Sequence, residues 1–222
     1  MAIENARLYE AETRRSAQLD VLNLMGRELT RIFDLGRLLE KVAELLREGF
    51  QYENVQIFWV DRENNAIEVR AVAGLMAGKV PVGAHRPLDH GIAAWVARTG
   101  QTALCNDVRE DPRHNPVDGF ETAAELAVPV MVKEETVAVI NVDSTEPDIF
   151  DDRDVKTLET LADQLAVAME NINLLLQQQD QSQRLAVADE RDGIGRDLHD
   201  GVIQSMYAVG LTLEDISSQA GE

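Results

Sequence analysis

Two pairs of strand-like runs, each joined by a short polar turn, most restrict what this chain can fold into. "NVQIFWV" (54–60) and "AIEVRAVAG" (66–74) flank the turn-forming cluster "DRENN". "ELAVPVMV" (125–132) and "TVAVINVDS" (136–144) flank "KEE". The runs are rich in β-branched and apolar residues and the connectors are not, so each pair predicts a β-hairpin.

The segments on either side change period. From Asp20 to Phe33, Val21, Leu24, Met25, Leu29 and Ile32 keep a helical stripe. A second helix is expected after Asp34 as N-cap, with Leu35, Leu38, Leu39, Val42, Leu45 and Leu46 apolar and Gly49 as its stop signal. Between the hairpins come the loop "MAGKVPVGAHRP", a short helix "GIAAWVART" closed by Gly100, a strand "TALCND" and the loop "VREDPRHNPVDG". A long helix follows Phe150, capped by Asp151 or Asp152, with Val155, Leu158, Ala162, Leu165, Met169, Ile172 and Leu176 at three- and four-residue steps. Strands clustered between helices imply an α+β domain with helices on one face of an antiparallel sheet. The other face, under the loops, is where a pocket is expected.

Charge and cysteine usage narrow the partners. Asp and Glu outnumber Lys and Arg 40 to 21, a formal net charge of −19, which repels phosphate backbones and argues against nucleic acid. Cys105 is the one cysteine of the 222 residues, so no internal disulfide is possible and a reducing compartment fits. No apolar run approaches the roughly 18 residues of a membrane span, and the N-terminus lacks the apolar core of a signal peptide. A cytoplasmic location is therefore expected.

The string "GIAAWVARTGQTALCNDVREDPRHNP", followed by "ELAVPVMVKEETVAVINVDSTEPDIFDDRDVKTLETLADQLAVAMENINLL", resembles a bacterial GAF domain over residues 20–176. That resemblance implies a six-stranded sheet and a pocket used for sensing small molecules or for dimerisation. Phe150 and Asp154 match part of the pattern shared by cyclic-nucleotide GAF domains, but Val155 stands in place of its Glu and no Asn-Lys pair precedes them. The partial match is read as structural. Bilin-binding members carry a thioether cysteine commonly followed by His; Cys105 is followed by Asn106 in an apparent strand and reads as a small buried apolar residue. His85, His90 and His114 fall in expected loops or at a helix start, with no spacing that asks for haem iron, and Trp95 reads as core packing. The pocket ligand is left unknown, and no metal site is expected.

Beyond a polar connector at 177–189, Ile194, Leu198, Val202, Met206, Val209, Leu213 and Ile216 form another helical stripe. Gly193 and Gly195 flank its first residue, each costing roughly 1 kcal/mol relative to Ala in a helix interior. "ERDGIGRDLHDGVIQSMYAVGLTLE" (190–214) resembles the first helix of the dimerisation and phosphotransfer domain of sensor histidine kinases, in the subfamily that signals to helix-turn-helix response regulators. The motif is H-D-x-x-x-Q. The resemblance implies His199 as phosphoacceptor, Asp200 as the acid that orients the ring and accepts its proton, and Gln204 as the amide that positions water for dephosphorylation.

Four regions are thus expected. Residues 1–19 form a linker helix, the tail of a preceding GAF domain, since "AIENARLYE" (2–10) echoes "AMENINLLL" (168–176). Then come a GAF domain (20–176), a helical connector (177–189) and a partial phosphotransfer domain (190–222). The long terminal helices are expected to pair in a dimeric coiled coil or bundle. The expected partners are a second copy, a helix-turn-helix response regulator, and an ATP-binding kinase domain in cis or in trans. No nucleotide loop of this chain's own is found, so ATP would be held by a domain outside it and the chain would not be active alone. The alternative is a free-standing ligand-binding or dimerising GAF protein without phosphotransfer.

Overall fold

The computed structural model describes residues 35–117 and 120–184. The chain divides after Asn173 into two compact units, and the sheet lies in the first. Its elements are α1 (Leu35–Phe50), β1 (Asn54–Asp61), β2 (Ala66–Gly74), β3 (His85–Pro87), α2 (Ile92–Thr99), β4 (Ala103–Cys105), β5 (Ala124–Val132) and β6 (Glu135–Ser144). A helical run, α3, begins at residue 152 and continues through residue 184, its last eleven residues belonging to the second unit. The six strands form one sheet in the order β3-β2-β1-β6-β5-β4 with every pairing antiparallel. The two hairpins are therefore joined edge to edge through β1 and β6.

Both faces of the sheet are covered. On one, Val55, Ile57, Leu126, Val128, Ile140 and Val142 pack with the apolar stripes of α1 and α3. Leu38, Leu39 and Leu46 of α1 and Leu158, Leu161 and Leu165 of α3 are almost wholly buried there. Each contributes about 2 kcal/mol by leaving water. On the other face, Phe58, Ala127 and Val139 pack with Ile92, Ala93, Val96 and Ala97 of α2. This departs from the expectation of helices on one face only. The reason is visible in β1, which is buried at nearly every position, so both of its faces need a cover.

Three boundaries differ from the sequence expectation. Helix α1 does not stop at Gly49; it runs to Phe50, and Gln51 takes the left-handed conformation (φ 57°) that ends it. The extra residue lets Phe50 reach the core, where its ring stacks on Tyr52 at 5.8 Å. The segment expected as a loop from Met76 to Pro87 ends in β3, which pairs Glu68 with His85 and Ala66 with Pro87. Three residues are too few to show alternation, and Pro87 is tolerated because the strand lies at the sheet edge. The strand expected over "TALCND" is confined to Ala103–Cys105, and a 3-10 turn over Val108–Glu110 opens the loop expected after it. Gly100 closes α2 in the left-handed conformation, its N–H bonding Val96 O, and Asp151 caps α3 by accepting from the N–H groups of Arg153 (2.7 Å) and Asp154 (3.2 Å). The expected cap at Asp34 and the helix over 20–33 lie outside the described residues.

Candidate functional site

The pocket floor is a block of polar side chains set into otherwise apolar strands. Register explains how they meet. Asn54 of β1 pairs with Asp143 of β6, which pairs in turn with Glu125 of β5; Gln56 pairs with Asn141 in the next row. Residues two apart share a face of the sheet, so all five side chains emerge on the side covered by α2. Asn54, Gln56, Asn141 and Asp143 are each at most 3% exposed.

Asp143 organises the block. It accepts from Asn54 Nδ2 (2.9 Å) and Gln56 Nε2 (2.9 Å) on one oxygen and from Asn141 Nδ2 (3.0 Å) on the other. With their amide hydrogens turned to Asp143, the three amides must turn their oxygens elsewhere. Asn54 Oδ1 takes the backbone N–H of Met76 at 3.1 Å. Gln56 Oε1 and Asn141 Oδ1 are buried without a hydrogen-bond partner. Unmet buried acceptors of this kind are costly, and they mark a place where a donor belongs. Burial, and then the neighbouring Glu125 carboxylate, push the Asp143 carboxyl up to about 7, against the three donated hydrogen bonds that pull it down.

A second group of elements forms the walls. Gly91, Ile92, Ala93 and Ala94 bring the start of α2 to the cavity, with Met76, Ile67 and Phe58 as its apolar side. No side chain caps α2, and Gly91 before it has φ 101°. Arg86 of β3 also lines the cavity, its guanidinium lying 5.6 Å from the Phe58 ring centroid. The loop after β4 completes the enclosure. Asp111 grips Arg113 with a two-pronged ion pair (2.9 and 2.6 Å), and Arg113 lies over the Trp95 ring at 4.5 Å. That clamp fixes the chain so that His114, Asn115 and Val117 line the pocket. His114 Nδ1 stands 3.9 Å from Glu125 Oε2, too far for a hydrogen bond, and is another buried polar atom without a partner. The cavity gives about 30 Å³ in which the centre of a water-sized group can sit. That suits a small head group and not a large planar chromophore.

Cys105 closes β4 as a buried thiol, pushed up to about 11 by burial first and by the Asp111 carboxylate second. It is an apolar filler, as its sequence context implied. His85 lies in β3 with Nε2 3.7 Å from Asp61, His90 is exposed beside Asp89, and Trp95 is half-buried. Among the described residues no three His, Cys, Asp or Glu side chains gather to hold a metal ion, and no helix is long and apolar enough to cross a membrane. Phe150 is buried and Asp154 serves the cap of α3, donating nothing to the pocket: its carboxylate accepts from the Asp151 N–H (3.0 Å) and the Tyr52 hydroxyl (3.2 Å). His199, Asp200 and Gln204 lie outside the described residues. Sequence reasoning did not single out Asn54, Gln56, Asn141 and Asp143. The available signal was polar residues at alternate positions of strands that are otherwise continuously apolar.

Comparison with known proteins agrees with this architecture. Solved structures with the same fold include a free methionine-R-sulfoxide reductase from Neisseria meningitidis in complex with its substrate (22% identity, 71% of this chain and 91% of that one, TM-score 0.62). Others are the GAF domain of an Acinetobacter phosphoenolpyruvate-protein phosphotransferase (22%, 71% and 95%, 0.61) and a putative GAF sensor protein from Burkholderia vietnamiensis (21%, 74% and 98%, 0.63). At these identities the likeness is one of fold. A family model described as a GAF domain matches residues 34–170, more than half of the sequence. The chain belongs to the GAF domain family.

Proposed function

We propose that this chain is the sensory and signal-transmitting part of a two-component sensor histidine kinase, in which occupancy of the GAF pocket controls a phosphoacceptor helix carrying His199. What supports the reading is one conjunction: a pocket floored by buried acceptors without partners, on the same chain as the 190–214 string with its H-D-x-x-x-Q motif. In this proposal the neutral His199 imidazole attacks the γ-phosphorus of ATP held by a separate catalytic domain, the bond to the bridging oxygen breaks, ADP leaves, Asp200 takes the ring proton, and the phosphoryl group then passes to the response regulator. Gln204 then holds water for dephosphorylation of a helix-turn-helix response regulator, and the working unit is a homodimer. Sulfoxide reduction, the activity named for one structural relative, is not what these residues favour. It needs a two-electron donor, and the Cys105 thiol is buried and protonated at neutral pH.

The test is labelling in trans. The chain is incubated with labelled ATP alone, and then with a related full-length kinase whose own histidine has been replaced. Acid-labile label that appears in the mixture and is lost in His199→Gln supports the phosphoacceptor role. Label that survives His199→Gln removes it, and leaves the GAF module as a free-standing ligand-binding or dimerising domain.

A further inference from the structure

The pocket has two chemically opposite sides. Its floor is rich in acceptors: Gln56 Oε1 and Asn141 Oδ1, both buried and without partners on residues that line the cavity, beside the carboxyl groups of Glu125 and Asp143. The orientation of the two amides is not free to reverse, because Asp143 holds their N–H groups at 2.9 and 3.0 Å. The opposite wall offers donors and positive potential. The first N–H groups of α2 point out of the helix end with no capping side chain, and Arg86, half-buried, forms no ion pair among the described residues. A simple cation satisfies the floor and is repelled by the wall; a simple anion does the reverse.

We propose that this pocket takes a small zwitterion of the α-amino-acid type, its ammonium group on Gln56, Asn141, Glu125 and Asp143 and its carboxylate at the start of α2 and Arg86. An ammonium group brings three donors to a floor where two amide oxygens and the carboxyl oxygens of Glu125 and Asp143 await them. A carboxylate is the natural guest of an uncapped helix start next to a guanidinium. The small cavity matches the head group that all α-amino acids share, and the apolar side formed by Phe58, Ile67 and Met76 is where a side chain would lie. The assignment rests on reading this cleft as the sensory pocket and names the chemistry it senses.

The experiment uses the whole chain and the common L-amino acids at millimolar concentration, scored by thermal shift. The strongest binder is then followed by amide-resonance titration beside two truncated analogues, the amine lacking its carboxylate and the acid lacking its ammonium. The amino acid is expected to move resonances at 91–94 and at 141–143 together, and each analogue to bind about tenfold more weakly or worse. Two variants separate the poles. Arg86→Gln is expected to weaken the amino acid and leave the amine analogue unchanged; Glu125→Gln is expected to weaken the amino acid and leave the acid analogue unchanged. A variant that merely loosened the fold would weaken both ligands alike, and that result overturns the assignment. An analogue that binds as tightly as the amino acid overturns it too, as does a panel in which no amino acid moves the pocket resonances. None of these results bears on labelling of His199, so the signalling reading stands or falls separately.

Discussion

Asn141 donates its amide N–H to Asp143 at 3.0 Å and thereby turns its own carbonyl oxygen to a position where nothing meets it. Asp143 thus settles the polarity of the pocket floor: three amides turn their nitrogens to it, and two of their oxygens are left without a hydrogen-bond partner. The arrangement is held by paired central strands with both faces covered, so the cost of the unmet acceptors is borne by a large surrounding core.

The first prediction concerns pH. The Asp143 carboxyl titrates at about 7 in the folded protein against an ordinary value of 3.8, because burial and then Glu125 disfavour its charge. Between those values the folded chain holds a proton that the unfolded chain has lost. Stability from this group is therefore present below about pH 4, declines as pH rises toward 7, and is flat above. Denaturant melts at about pH 5 and about pH 8 should show wild type losing about 2–4 kcal/mol across the window, with Asp143→Asn losing much less. Equal losses in both proteins would assign the titration to another group.

A second prediction tests the close approach behind the floor. Gly74 sits at φ +103°, and a Cβ there would lie 2.1 Å from Glu53 O and 2.9 Å from Asn54 Cα. Both contacts are backbone, so neither can swing aside. Gly74→Ala should cost about 2–4 kcal/mol. Gly78 also has positive φ but has open space around it, so Gly78→Ala should cost only about 1 kcal/mol. Comparable melting temperatures for the two variants would contradict the steric account.

Much of this fold could be read from residue order, and the limits of that reading have physical causes. The hairpins announced themselves because β1, β2, β5 and β6 are long enough to show β-rich runs between turn clusters. Gly100 was legible as a stop because its left-handed conformation is one that glycine favours. Gln51 was not, since a glutamine in that conformation gives no local sign and Gly49 two residues earlier gives a false one. The pocket chemistry was hidden for a different reason. Asn54 and Asp143 are 89 residues apart and become a pair only through the β1–β6 register, which no local pattern encodes. Asp154, whose partial match to a family pattern reads as structural, does serve the cap of a helix.

That cap supplies the third prediction. Asp151 and Asp154 bond each other's backbone N–H groups reciprocally, and Asp154 also accepts the Tyr52 hydroxyl at 3.2 Å in a buried setting. Asp151→Ala should cost about 1 kcal/mol. Asp154→Ala should cost more, since it also removes the acceptor of the Tyr52 hydroxyl hydrogen bond, and in a double-mutant cycle with Tyr52→Phe the two changes should not add. Full additivity in that double-mutant cycle would show that the hydroxyl and the cap are energetically independent.

The fourth prediction is that Cys105 carries no chromophore and resists modification. Its thiol is buried and pushed up to about 11, so very little thiolate exists near neutral pH. Ellman's reagent should react far more slowly with the native chain than with the denatured one. Expression in cells that make bilins, followed by acid denaturation, should leave no covalent pigment. A zinc-fluorescent band lost in Cys105→Ala would show that the strand opens to admit a tetrapyrrole.

The last prediction is that two copies associate through their C-terminal helices. In α3 the buried stripe is Leu158, Leu161, Ala162, Leu165, Met169 and Ile172, whereas Val167 is 59% exposed and Leu174, seven residues further on, is 52% exposed. Apolar side chains a heptad apart, facing water on a helix, are the pattern of a helix that pairs with another. Further along, the sequence repeats apolar residues at three- and four-residue steps from Ile194 to Ile216. A second copy of the same chain presents the same stripe in a parallel arrangement about a twofold axis, and this closes the surface without any further partner. Sedimentation equilibrium should therefore give a dimer, and removal of residues 180–222 should weaken it by a factor large enough to populate monomer at micromolar concentration. Val167→Glu together with Leu174→Glu should act in the same direction while leaving the melting of the sheet domain nearly unchanged, because neither side chain belongs to its core. A full chain that sediments as a monomer at tens of micromolar would remove the dimer, and with it the proposal that a movement at the pocket is passed to His199 through paired helices.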